Sequence, residues 1–135
     1  MSQYATIAQL EAQGLPAAAL SGISDDQKTA ALVAASAEVD AFLRDRGPLP
    51  LTSADDPALV QRTIDIACYR LLARRGYNPE DPAHSVIRGG YEDAMAWGRD
   101  VAAGRVVLDV EYSTSTSGSA PEVAGPEDDA EMRGW

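Results

Sequence analysis

The residue types that most often carry reactions are sparse in this chain. There is one histidine, His84, one cysteine, Cys68, and two short acidic runs, Asp25-Asp26 and Glu127-Asp128-Asp129. A histidine acts as a general base when a nucleophile or carboxylate is placed to exchange its proton. His84 falls in the first turn of a helix that begins at Pro82, which makes it a surface residue. Cys68 has no histidine at helical spacing and lies on an apolar stripe, where burial disfavours the reactive thiolate. Asp25-Asp26 fit the first turn of a helix, where carboxylates complement the dipole. Glu127-Asp128-Asp129 fit a solvated tail, and neither run has the spaced oxygen ligands of a calcium loop. No CxxC, HExxH, GxSxG, P-loop or GxGxxG motif is present. The expectation is no catalytic residue, no metal and no cofactor.

Whatever the chain does must therefore rest on its surfaces, and on the elements that hold them. The most apolar of these runs from Asp56 to Gly76, with Asp56 as cap and Pro57 pre-set for the first turn. Val60, Ile64, Ala67 and Leu71 step by four, three and four along one stripe. Leu59, Thr63 and Cys68 widen it, while Arg62, Asp65 and Tyr69 mark the wetter side. Gly76 and Asn78-Pro79 end this helix, and the others should pack on it.

Before it, Thr6 caps a short helix with Ile7 and Leu10 facing inward, ended by Gly14. Pro16 begins a further turn through Leu20, closed by Gly22. Ser24 to Gln27 read as a capping box, and Leu32, Ala35, Val39 and Phe42 predict a helix from Asp25 to about Arg46. Gly47 to Leu51 hold two prolines and must be extended. After the central helix, Pro82 opens a last one, with Ile87, Tyr91, Ala94, Gly98 and Val101 on a stripe and Trp97 beside it, as a core residue. Gly89-Gly90 within it costs roughly 1 kcal/mol per glycine relative to alanine, which a close helix approach or a kink would offset.

From Gly104 the character changes. Arg105 to Tyr112, RVVLDVEY, reads as a short strand. Nothing earlier reads as its partner, so another chain is the expected one. The rest is rich in Ser, Gly, Pro and acid, the composition of a flexible arm. The fold expected is therefore all-α. Three main helices and short N-terminal ones form a bundle over residues 1–103, and an extended arm occupies 104–135.

The chain of 135 residues carries a net charge of −10, and its sequence pI is about 4.3. Residues 104–135 hold seven acidic and two basic residues, so the arm supplies −5, half of the total. Such a surface repels a nucleic-acid backbone and an anionic membrane. No apolar stretch approaches the roughly 20 residues needed to cross a bilayer, and MSQYATIAQL lacks the basic region and apolar run of a signal peptide. A single cysteine excludes an intrachain disulfide and fits assembly in the cytosol. Arg70, Arg74 and Arg75 gather at the end of the central helix. They either offset its dipole or meet an acidic face of a neighbouring copy. With Arg105, Val106, Val107, Leu108 and Val110 of the strand, and Trp135 as a terminal aromatic anchor, they are the candidate partner-binding residues.

Several blocks carry a family resemblance. They run from Tyr4-Ala5-Thr6 with Leu10, through Asp40-Ala41-Phe42-Leu43 and Leu49-Pro50-Leu51, to Pro57-Ala58-Leu59-Val60-Gln61-Arg62. Asp65-Ile66-Ala67-Cys68-Tyr69-Arg70-Leu71 follows, then Tyr91-Glu92-Asp93-Ala94 with Trp97. Asp100-Val101-Ala102-Ala103-Gly104-Arg105 and Leu108 close the series. In order and spacing the chain resembles the small phage-Mu-like head–tail connector, or adaptor, proteins of tailed phages, prophages and gene transfer agents. Arg105 stands where a lysine is common, and the acidic arm after Val110 has no placed counterpart. The resemblance implies a structural virion protein rather than an enzyme, assembled in the bacterial cytoplasm and located at the head–tail junction. Such adaptors form a ring, generally of twelve copies, between the portal protein and a stopper or tail-completion protein. DNA passes through the ring without specific binding, and no membrane is involved.

A rival reading is an acidic binding module, such as a phage-encoded inhibitor that mimics the charge of DNA. Mimics array carboxylates along one face, whereas half of the excess charge here sits in the arm. A small hydrolase or metal enzyme is the third class, and it lacks the histidines and motifs it would need.

Overall fold

The structure, a computed structural model, describes residues 3–15, 22–49, 51–54 and 56–112. The elements are α1 (Ile7–Gln13), α2 (Asp25–Leu43), β1 (Leu51–Ser53), α3 (Pro57–Arg75), α4 (Pro82–Ala102) and β2 (Glu111–Tyr112). It is a helical bundle with one small antiparallel sheet. The expected turn at Pro16 to Leu20 and the arm beyond Tyr112, Trp135 included, lie outside the described residues.

Local chemistry sets the helix starts. Thr6 and Ser24 each close a reciprocal capping box, with Gln9 and Gln27 respectively. Asp56 and Asp81 cap α3 and α4 ahead of Pro57 and Pro82. Gly76 ends α3 with φ 107°, a conformation that glycine adopts without a Cβ penalty. The expected end of α2 at Arg46 is corrected to Leu43. The Arg46 N–H bonds to the Leu43 carbonyl, tightening the chain into a turn before Gly47-Pro48.

α3 is the hub, packed against α1, α2 and α4. Ile64, Ala67 and Leu71 are buried as the stripe required, and Val60 is half-buried. Ile66, off that stripe, is fully buried too. Tyr69, expected on the wet side, is half-buried and stacks on Tyr91 at 4.3 Å between ring centres. Neighbours on several sides bury more of a helix than one stripe. Along α4, Ala94, Gly98 and Val101 are buried, and Trp97 is half-buried against the core. The sole lysine, Lys28, holds α1 to α2 through Glu11 at 3.0 Å and Asp25 at 3.6 Å. Its stem is buried while the ammonium reaches the carboxylates, and the Glu11 hydrogen bond raises its pKa.

The strand expectation needs correction. Only Glu111–Tyr112 is β, and its partner is β1 of the same chain, not another molecule. Leu51 faces Tyr112 and Ser53 faces Glu111, with a register irregularity between them. Leu51 to Ser53 follow the proline-rich turn, which bars helix and leaves extended backbone free to pair. Between Gly104 and β2 the chain folds back on the bundle. The Asp109 N–H donates to Asp56 Oδ2 at 2.8 Å, while Oδ1 of the same carboxylate caps α3. Val106, Leu108 and Val110 pack against the core, leaving Val107 90% exposed. The Tyr112 ring covers Gly47, where a Cβ would overlap it.

Candidate partner-binding site

His84 closes the α3–α4 turn. Its Nδ1 accepts from the Asn78 N–H at 2.9 Å, and its Nε2 lies 3.6 Å from the Asp81 carboxylate. Among the described residues no group of His, Cys, Asp and Glu is arranged to hold a metal.

Cys68 is buried, and burial pushes its thiol from 9.0 up to about 12. It is protonated at neutral pH. Between pH 9 and 12 the unfolded chain loses this proton and the folded chain keeps it. The stability supplied by the neutral thiol is therefore complete below pH 9 and declines as pH rises through that window. Wild type should lose more denaturant stability there than Cys68→Ala, and the folded thiol should resist alkylation at pH 8. Labelling of folded protein within minutes would contradict this.

The three arginines of α3 separate in space and role. Arg70 pairs with Glu38 on α2 of its own chain, at 2.6 Å and 2.7 Å. Arg74 is exposed, with no ion pair among the described residues, in a shallow groove with Ala30, Ala34 and Ala73. Arg75 lines a different cavity. In the arm, Arg105 pairs with Asp100 at 2.8 Å at the end of α4. Val106, Leu108 and Val110 are engaged with their own core, so only Val107 is presented outward.

Two features were missed in the sequence. Tyr69, Tyr77, Tyr91 and His84 form a run of ring contacts at 4.3–6.2 Å, with the Arg88 guanidinium 5.9 Å from the Tyr77 ring centre. The readable signal was His84, Arg88 and Tyr91 at steps of four and three. The second feature is an apolar cavity of about 410 Å³ where α3 ends and α4 begins. Leu15, Leu71, Leu72 and Ile87 wall it, and Arg75 and His84 stand among its polar lining. Its walls come from three separate stretches, which no single periodicity reveals.

The sequence profile of the family described as "Bacteriophage Mu, Gp36" matches residues 3–124. The chain belongs to the bacteriophage Mu Gp36 family. The match covers the bundle, the folded-back segment and part of the acidic arm. It thus passes Val110, where the sequence reading had placed the end of the likeness. No curated protein and no solved structure matches the chain. As a Gp36 family member it is a phage-type protein, and among the described residues no helix is long and apolar enough to cross a membrane.

Proposed function

We propose that this Gp36 family chain is a structural head–tail connector, without catalytic activity. Copies form a ring, on the family pattern of twelve, between the portal and a stopper or tail-completion protein. The observation that carries this reading is the family match over residues 3–124, joined to the adaptor-like blocks from Tyr4 to Leu108. The charge of −10 is compatible with it. A negative channel wall repels DNA phosphates, so a duplex slides without adhering.

The test is genetic. Deleting the chain should leave filled capsids and complete tails unjoined, and supplying it in trans should restore joined particles. Normally tailed particles from the deletion strain would overturn the connector reading. In that case, capture of a basic host protein by the purified chain would favour the acidic inhibitor instead.

A further inference from the structure

Two large apolar side chains stand well exposed among the described residues, Val86 at 75% and Val107 at 90%. A lone exposed valine is ordinary. These two, however, sit at the two halves of a complementary pair of surfaces. Val86 adjoins the cavity between the end of α3 and the start of α4, next to its wall residue Ile87. Val107 is a knob, held out because Val106 and Leu108 on either side are anchored to the core. The Asp109 N–H is tied to Asp56 as well, so the knob is pre-organised and little ordering entropy opposes its insertion elsewhere.

The charges match in kind. The knob is flanked by exposed Arg105 and Asp109, and the cavity lining includes Asp81 with Arg75 and His84. Asp109 makes no ion pair among the described residues, and the Arg105–Asp100 pair is exposed enough to exchange partners readily.

Position then decides the partner. The cavity lies at the end of α3, whereas the knob is fastened to Asp56, the cap at its start. Nineteen helical residues separate the two by about 28 Å at 1.5 Å per residue. A chain therefore cannot fill its own cavity with its own Val107.

We infer that Val107 of one copy inserts into the cavity between α3 and α4 of the next. The occupant is a second copy of this chain. Two different patches meet, so the contact is heterologous, and successive copies close into a ring if the rotation permits. This rests on the ring reading above and names the surfaces that would build it.

Cysteine cross-linking of the full chain tests the contact. Val107→Cys and Ala83→Cys place one thiol on the knob and one at the cavity, where Ala83 is exposed. The native Cys68 is buried and should stay silent. The two variants, co-expressed in the deletion strain and extracted from particles under oxidising conditions, should give disulfide-linked dimers. Neither variant alone should do so, and the double variant should give a ladder. Equal dimer from Val107→Cys alone, or no dimer in particles containing both variants, would overturn the inference.

A second variant, Val107→Asp, should keep the wild-type circular dichroism and melting while incorporating at least about tenfold less well. Unchanged incorporation would also overturn the contact. The failures separate cleanly. Particles that need the chain but show no cross-link leave the connector standing without this interface. A cross-linked ladder from a chain dispensable for tail joining leaves the interface without the connector.

Discussion

Replacing Gly98 with leucine should cripple the bundle. Gly98 is fully enclosed on α4, and a Cβ at that position would overlap the ring of Phe42 on α2. The clash is with ring carbons close to the Phe42 backbone, so the ring cannot simply swing its far end away. Overpacking of this kind costs about 1–3 kcal/mol, and a leucine at a contact this close belongs at the upper end. Against a total stability of about 5–15 kcal/mol, that loss should lower the melting temperature by more than ten degrees. Gly98→Ala should suffer less, since alanine regains about 1 kcal/mol of helix propensity. Adding Phe42→Ala to Gly98→Leu should recover part of the loss if the clash is its cause. Urea unfolding of the three variants provides the check, and a Gly98→Leu midpoint equal to wild type would refute it.

Ile66→Ala should be equally damaging, by about 2–5 kcal/mol for a buried aliphatic truncated to alanine. Ile66 is fully buried, yet it lies off the Val60, Ile64, Ala67 and Leu71 stripe. Val60→Ala, on the stripe but only half-buried, should cost distinctly less. Denaturant titration of both variants ranks them. The reverse order would mean that the periodic stripe describes α3 better than its packing does.

This contrast marks how far the sequence was legible. Thr6, Ser24 and Asp56 announced their helices because capping is decided within three or four residues. Ile64, Ala67 and Leu71 announced one buried face for the same local reason. Ile66 did not, because its burial depends on where other helices cross α3. The glycines behave alike. Gly89-Gly90 drew attention in the sequence, yet a Cβ at Gly89 meets nothing and one at Gly90 only touches Asp65 at 3.5 Å. The demanding glycine is Gly98, since the crossing of α2 and α4 falls there.

Long-range partners were the least readable. Leu51 to Ser53 are too short to alternate, so nothing marked them as the mate of Glu111–Tyr112. Arg70 was readable as a cation at a helix end, but its pairing with Glu38 was not. Of the surfaces, the arm residues were recognised as important with the wrong partition. Three of the four apolar ones serve their own fold, and one faces outward.

The position of Lys28 has a practical consequence for anyone mapping the assembled particle. Apart from the chain's α-amino group, it is the only primary amine the protein offers. That amine is pinned between Glu11 and Asp25. Amine-directed cross-linkers and dyes will therefore scarcely see this protein, and a connector could sit unlabelled among heavily modified neighbours. The same scarcity turns Lys28 into a one-residue reporter. Its acylation rate reads out directly how often α1 lifts from α2, with no competing lysine to blur the signal.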